Sequence, residues 1–288
     1  MSAQLESLRA KSADEAKRVL DAEGVCVIEG VLDARGIARV KDALLRGISS
    51  DQSSGVPVRG FPFDPDTRNI RLFDLIGKDP VFVELVQHPL ALELVRHQIG
   101  APFLLSNFSA NVTAPGSGAM YMHADQGYVP APWPPYPMAT NVAWTLDDFT
   151  AENGGTRFVP RSHLRDHGPE PRFDGADTIA MECPAGSIFV MDARVWHQTG
   201  PNTSADQTRA GLFAYYVRPW IRPQWNWYQT VTPELLETLD TEMREMLGFG
   251  SNVTSSLESL YMKKSGIEPA RAGTAADTPT ALVSTRAR

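Results

Sequence analysis

The chain has 288 residues, of which 42% are hydrophobic and 21% charged, so it can bury the core of a globular protein. Its formal net charge is −7 and it holds no basic run interleaved with aromatic residues, which excludes nucleic acid as an expected partner. It also lacks an apolar run of membrane-spanning length and a signal-peptide pattern, so we expect a cytoplasmic protein without membrane contact.

The first hundred residues predict helices. Ser12 begins a Ser-Ala-Asp-Glu capping box that is followed by apolar residues at helical spacing. A short buried strand follows at 25–28, and Asp33 can cap a second helix with an apolar face. Between residues 79 and 99 the apolar residues again recur at helical spacing, and the break at His88-Pro89 predicts two helices.

A long loop and then a β-rich core are predicted next. Residues 50–66 are rich in Ser, Gly, Pro and Asp, and loops of this length often border an active site. Seven later runs of β-branched or aromatic residues are separated by turn-forming clusters, the pattern of an all-β sandwich or barrel. These runs are 103–113, 120–125, 140–146, 156–159, 178–181, 187–191 and 210–217.

The end of the chain predicts a helix and a tail. Thr232 can cap a C-terminal helix that has Pro233 at its first position. No aromatic residue follows Tyr261, and the Ala-, Thr-, Pro- and Arg-rich end predicts disorder. Cys26 and Cys183 each lie in an apolar run, which indicates buried free thiols rather than a disulfide framework.

The His123-x-Asp125 pair is the first candidate for chemistry. Residues two apart on a strand share a face, so this imidazole and carboxylate could converge on one metal ion. His197 follows a second buried run and would supply another imidazole. Two His and one carboxylate are the ligand set of the facial triad, which leaves three positions on Fe(II) open.

Arg209 is the second candidate. It stands at the head of the apolar run Ala-Gly-Leu-Phe-Ala-Tyr-Tyr, where a buried guanidinium needs a carboxylate partner. A dicarboxylate such as 2-oxoglutarate would supply one, because Arg binds carboxylates through a bidentate fork.

Several linked motifs resemble the phytanoyl-CoA dioxygenase (PhyH-like) family, and the resemblance extends from about residue 20 to residue 250. The motifs occur, in chain order, at His123-Ala-Asp-Gln-Gly127, Pro134-Pro-Tyr-Pro137, Trp144–His163, Trp196-His-Gln-Thr-Gly-Pro-Asn202 and Arg218–Gln224. Two positions differ. Arg161 stands where the family usually has Gly, and we expect a different turn there. The residues before His123 are Met120, Tyr121 and Met122, whereas the family commonly has a Gln there.

The resemblance implies a fold, ligands and cofactors. The fold is mainly β with flanking helices, around a double-stranded β-helix, the jelly-roll form of cupin-like barrels. His123, Asp125 and His197 would bind Fe(II) and be the catalytic residues. Arg209 would bind the far carboxylate of 2-oxoglutarate, with Thr156 as its hydrogen-bonding companion. O₂ is the second cosubstrate.

The implied domain covers residues 1–262. It comprises a helical part at 1–100, a jelly-roll core at 101–220 and a C-terminal helix in 221–262, before a disordered tail at 263–288. We expect substrate contacts from loop and aromatic side chains near the site. These are Asn69, Arg71, Tyr121, Trp144 and Trp225.

The implied function is oxidation, above all hydroxylation, of an unactivated C–H bond in an apolar small molecule, a secondary metabolite, with release of succinate and CO₂. Two alternatives stay open: a 2-oxoglutarate-independent cupin-like metalloenzyme, and a non-catalytic jelly-roll binding protein. The expected partner is a small-molecule substrate, and a homodimer is the working hypothesis for the assembly.

Overall fold

Two antiparallel β-sheets lie at the centre of the structure. The computed structural model describes residues 3–170, 173, 175 and 177–249. Its strands are β1 (Val25–Ile28), β2 (Ile70–Leu72), β3 (Leu104–Thr113), β4 (Ala139–Thr145), β5 (Thr156–Phe158), β6 (Ile179–Ala180), β7 (Ile188–Asp192), β8 (His197–Thr199) and β9 (Arg209–Val217). Within the described residues, six strands form one sheet in the order β1-β7-β4-β9-β3-β2, and three form another in the order β6-β5-β8.

The sequence predicted most of these strands and missed two. Six of the seven predicted runs contain a strand, whereas the run 120–125 holds only an isolated bridge at His123. Strands β2 and β8, of three residues each, were not predicted, because neither lies in a run of β-branched or aromatic residues.

Helices precede and follow the β core. They are α1 (Ala3–Glu6), α2 (Ala13–Glu23), α3 (Ala34–Ser53), α4 (Pro80–Val86), α5 (Pro89–Ile99), α6 (Trp227–Thr230), α7 (Pro233–Thr238) and α8 (Thr241–Met246). The predicted caps are present: the Ser12 side chain accepts from the Glu15 N–H, and Asp33 accepts from the Gly36 N–H. Helix α3 continues to Ser53, so the predicted loop begins later than expected.

The predicted C-terminal helix is three short helices in the described part of the chain. Thr232 caps α7 and Asp240 caps α8, each by accepting a backbone N–H through its side chain. These caps, with Pro233 between them, divide the segment because each starts a new helix. Residues 250–288, which include the rest of that prediction and the predicted tail at 263–288, lie outside the described residues.

The two faces of the larger sheet have different roles. On β4, Val142 and Trp144 belong to the apolar core that the helices complete. Asn141 and Ala143 point the other way, and Ala143 packs in a second core with Phe158 of the smaller sheet. Alternate side chains of the larger sheet therefore point either toward the covering helices or into the space between the two sheets. Among the described helices, none has the length and apolarity that a membrane span requires.

Candidate metal centre and cosubstrate cavity

His123, Asp125 and His197 meet in the inner space. One ligand atom from each lies within 4.8 Å of the others. The Nε2 atom of His123 and that of His197 are each 3.7 Å from Oδ1 of Asp125. Two imidazole nitrogens and one carboxylate oxygen at this spacing fit a single metal ion of the facial-triad type.

Both imidazoles are held in the tautomer that a metal needs. Nδ1 of His123 is 3.1 Å from the carbonyl oxygen of Tyr121, and Nδ1 of His197 is 3.0 Å from that of Val195. A carbonyl only accepts, so each Nδ1 carries the proton and each Nε2 keeps its lone pair. Burial, followed by the neighbouring His197, lowers the pKa of His123 well below its usual value, which keeps the ring neutral.

Asp125 lies on a turn rather than on the predicted strand. Residues 125–128 form the turn, and the Val129 N–H donates to the Gln126 carbonyl at 2.9 Å. The strand-face argument for His123 and Asp125 is therefore wrong in its geometry, although both side chains reach one site. A bridge at His123 followed at once by a turn brings them together.

The triad opens into a cavity of about 600 Å³. That volume suits a cosubstrate together with a small organic molecule. Aromatic side chains and polar groups both line it: Phe63, Arg71, Phe73, Asn107, Ser109, Met120, Tyr121, His123, Ala124, Asp125, Gly127, Tyr128, Asn141, Thr156, Phe189, Met191, His197, Thr199, Phe213, Tyr215 and Gln224.

Arg209 lies on the same inner face of β9 as Phe213 and Tyr215, at the start of the strand. Its side chain is fully buried, with the guanidinium carbon 4.5 Å from the ring centroid of Phe149. One nitrogen donates to the Gly154 carbonyl, while Nε has no hydrogen-bond partner.

The charge of Arg209 is not balanced by an ion pair. No carboxylate forms a salt bridge with it among the residues that the structure covers, and burial lowers its pKa to about 9. Asp147 favours the charge from farther away but is itself paired with Lys41. A buried cation with a free donor is a site that a ligand carboxylate would complete.

Thr156 and Thr199 lie on the smaller sheet, which faces the sheet that holds Arg209. They face each other in register across β5 and β8, and both line the cavity. Asn111 on β3 donates to the Thr199 hydroxyl at 3.1 Å, and its own carbonyl oxygen accepts from Arg209 at 3.5 Å. Hydroxyl groups beside a buried guanidinium can hydrogen-bond an anionic ligand.

Comparison with known proteins identifies the family of this chain. The model of the phytanoyl-CoA dioxygenase (PhyH) family matches residues 20–211, a stretch that contains the triad and Arg209. The chain belongs to this family. The predicted membership in a family of Fe(II)- and 2-oxoglutarate-dependent oxygenases is confirmed.

Individual relatives agree with this assignment. Dioxygenase af480 of Aspergillus fumigatus is 40% identical over 186 residues, a match that covers 64% of this chain and 60% of that protein. The epimerase SnoN of nogalamycin biosynthesis, solved with Fe³⁺, alpha ketoglutarate and nogalamycin RO, is 21% identical with a TM-score of 0.56 over 77% of this chain and 87% of SnoN. The carbocyclase SnoK of the same biosynthesis is 22% identical with a TM-score of 0.60 over 80% of this chain and 94% of SnoK.

These findings confirm the expected fold and the expected enzyme class. The solved structures share the fold, so the predicted double-stranded β-helix with flanking helices is confirmed. Family membership and the dioxygenase relatives confirm the enzyme class, a 2-oxoglutarate-dependent non-haem iron dioxygenase, and with it Fe(II), 2-oxoglutarate and O₂ as cofactors.

Among the predicted substrate contacts of this PhyH protein, two line the cavity. Arg71 donates from Nε to Asp64 at 2.6 Å, and Tyr121 is 60% exposed at the cavity surface. Asn69 lies behind the cavity wall, where it also donates to Asp64, at 3.1 Å. Trp225 also lies behind the residues that line the cavity. It stacks on one of them, Phe73, with ring centroids 6.0 Å apart.

Trp144 does not line the cavity, and its prediction as a substrate contact is wrong. Its side chain is fully buried on the helix-covered face of β4 and packs edge-on against His88, with ring centroids 5.4 Å apart. Alternation along the strand decides this, because Asn141 faces inward and the residue three positions later must face outward.

The turn at Arg161 has a left-handed backbone. Its φ is 59°, so it adopts the left-handed conformation that the family's Gly would adopt with little strain. The chain continues into a short 3-10 helix at Ser162–Leu164, and the Arg161 guanidinium lies 3.7 Å from Glu23. Arg161 therefore adopts a left-handed backbone although it is not a glycine, and this position is strained.

Sequence reasoning missed several residues around the triad. Asn141 donates to Asp125 Oδ2 at 3.0 Å, and the Tyr215 hydroxyl donates to the Asp125 carbonyl at 3.1 Å. Asn107 lies across Tyr215 from Asn141 in register, so the three residues form one row. Assigning the inner face of β4 and β9 from their alternation would have found them.

Proposed function

We propose that this protein hydroxylates an unactivated C–H bond of a small secondary metabolite, with conversion of 2-oxoglutarate to succinate and CO₂. The observation that carries the proposal is a facial triad that lines a cavity, together with a fully buried Arg209 that forms no salt bridge within the described residues and lies behind the lining residues on the same strand face as Phe213 and Tyr215. When bound, iron and 2-oxoglutarate supply the activation of O₂ and the oxidation of the substrate.

Each protein group has a distinct task in this proposal. His123, Asp125 and His197 hold Fe(II) through two nitrogens and one oxygen, which leaves coordination positions for cosubstrate and O₂. Arg209 binds the distal carboxylate of 2-oxoglutarate, and the Thr156 hydroxyl donates to the same end. The burial of both groups favours the interaction, since a charge-assisted hydrogen bond is stronger away from water.

Arg71 gives the cavity wall a cation near the triad. It lies close enough to His123 to lower the pKa of that imidazole, and its pairing with Asp64 fixes its direction. We assign Arg71 to an oxygen-bearing group of substrate or cosubstrate on the iron side.

The rim of the cavity favours a substrate with an apolar body. Phe63, Tyr121 and Tyr128 are 40%, 60% and 47% exposed, and all three line the opening. Exposed aromatic side chains at a concave site are a usual feature of ligand recognition, because a bound apolar surface covers them. SnoN, which has a similar fold, was solved with nogalamycin RO bound, and this supports a secondary metabolite as the substrate here.

The family and the donor set favour this function over the two alternatives. A cupin-like metalloenzyme without 2-oxoglutarate would have no use for a buried unpaired Arg209. A binding protein without turnover would not need the open iron positions that a triad provides. A cytoplasmic location, a homodimeric assembly and a single domain at 1–262 are parts of the same proposal.

Succinate formation tests the proposed reaction. The Fe(II)-loaded protein would be incubated with 2-oxoglutarate, O₂ and a panel of terpenoids, polyketides and alkaloids, and the products analysed by mass spectrometry. We expect one class to gain oxygen with matching release of succinate. Asp125→Ala removes the carboxylate ligand and should abolish both products, whereas the exposed Asp14→Ala should retain them. Full activity in Asp125→Ala would refute the assignment.

A further inference from the structure

Asp125 is held by a second residue through the oxygen that does not face the imidazoles. Its Oδ1 lies 3.7 Å from both Nε2 atoms, while its Oδ2 accepts from Asn141 Nδ2 at 3.0 Å. We propose that Asn141 is a positioning residue for the metal carboxylate, an inference that rests on the proposed metal site. By occupying Oδ2, Asn141 makes Asp125 a one-oxygen ligand and keeps a coordination position free for cosubstrate or O₂.

The backbone of Asp125 cannot set this orientation alone. Asp125 is on a turn outside the two sheets, and its side chain can rotate about the Cα–Cβ bond unless a contact of the carboxylate fixes it. Asn141 is in the middle of β4, paired in register with Met191 on one side and Tyr215 on the other. A residue paired on both sides within the sheet thus holds a carboxylate that lies on a turn.

Tyr215 supports the same arrangement from the neighbouring strand. Its hydroxyl donates to the carbonyl oxygen of Asp125 at 3.1 Å, so the main chain and the side chain of Asp125 are each held from the sheet. Tyr215 and Asn141 are directly opposite in register, which makes the two contacts parts of one platform. Groups outside the ligand set that hold a metal ligand change metal affinity when they are removed.

An amide suits this role better than other polar side chains. A carboxylate accepts only, so the amide nitrogen of Asn141 must face Asp125 and its Oδ1 must face away; this Oδ1 has no partner in the described structure. An Arg or Lys would compete with the metal for the carboxylate charge. A neutral donor orients Oδ2 without neutralising Asp125.

Substitution by an apolar residue of similar size separates this role from packing. Asn141→Leu keeps the branched shape of the side chain but removes the donor, and Asn141→Ala is a second variant should the first not fold by circular dichroism. Asn107→Leu is the matched control, since Asn107 lines the same cavity across Tyr215 and does not contact Asp125. The readout is the Fe(II) dissociation constant, measured anaerobically against a competing chelator.

We expect Asn141→Leu and Asn141→Ala to weaken Fe(II) binding by about 10- to 100-fold, and Asn107→Leu to leave it unchanged. The chelate of Fe(II) with 2-oxoglutarate should also show a shifted charge-transfer band in the Asn141 variants, which a packing defect alone would not cause. Wild-type affinity and an unshifted band in both Asn141 variants would overturn the inference, as would an equal loss in Asn107→Leu. Failure of the wild-type protein to bind Fe(II) would instead overturn the proposed metal site.

Discussion

His123 and His197 are joined by a reciprocal pair of backbone hydrogen bonds. The His123 N–H donates to the His197 carbonyl at 3.0 Å, and the His197 N–H donates to the His123 carbonyl at 2.8 Å. The two rings consequently lie with their centroids 4.4 Å apart. Two residues far apart in the sequence thus become adjacent through the fold itself, before any metal binds.

Removal of the metal should therefore leave the fold intact. Because backbone hydrogen bonds and the Nδ1 contacts already hold both histidines, the metal is not needed to assemble the site. We expect protein treated with a chelator to keep its far-ultraviolet circular dichroism. Fe(II) at a hundredfold excess over Kd should raise Tm by about 5–10 °C through binding to the native state alone. His197→Ala should show no such rise, and loss of the fold on chelation would contradict this view.

The sequence selected the candidate site residues more readily than it predicted the geometry that brings three of them together. His123, Asp125, His197 and Arg209 could be chosen by residue type and flanking motif, because metal and carboxylate chemistry restricts the side chains. Their approach depends on strand pairing between β8 and the bridge at His123, which no local pattern reports.

Substrate contacts were harder to predict for a related reason. Trp144 was chosen as an aromatic residue near a motif, but the face that it occupies depends on the register of β4. Asn141 was overlooked because the inner face of β4 was not assigned from the alternation along that strand. Helices and caps were predicted well, since the signals at Ser12 and Asp33 are local.

Arg161→Gly should stabilise the protein. A non-glycine residue at φ 59° pays a steric cost of roughly 1–2 kcal/mol, and Gly avoids it at the expense of more freedom in the unfolded chain. The exposed contact with Glu23 contributes little. We expect a gain of about 1 kcal/mol in urea denaturation. Arg165→Gly, at φ −83°, should not stabilise, and equal effects of both substitutions would contradict the strain argument.

Asp74→Asn should stabilise the protein more at high pH than at low pH. Burial raises the pKa of Asp74 to about 6, above the value of about 3.9 for an unfolded chain. The folded state therefore holds this proton more tightly, and stability is lost as pH rises through 6. We expect the gain from Asp74→Asn to be about 1 kcal/mol larger at pH 8 than at pH 5. A gain independent of pH, measured by urea denaturation, would be inconsistent with a buried carboxylate.

Both thiols should be inert in the native protein. Burial raises the pKa of Cys26 and that of Cys183 to about 12, so almost no thiolate exists at pH 8. Iodoacetamide should modify neither residue in native buffer and both in guanidinium chloride, as measured by intact mass. Rapid modification of either thiol without denaturant would show that its part of the core opens.

The central claim is that Arg209 and the triad together hold an Fe(II)–2-oxoglutarate chelate. Its most direct test is an anaerobic titration of metal-free protein with Fe(II) and 2-oxoglutarate, followed by the visible charge-transfer band of the chelate. We predict a saturable band in the wild-type protein and in Arg218→Ala, which removes a cation beyond the other end of β9. Arg209→Ala should need at least tenfold more 2-oxoglutarate, and His197→Ala should show little or no band. Iron binding without a band in the wild-type protein, or an unchanged titration in Arg209→Ala, would contradict the claim.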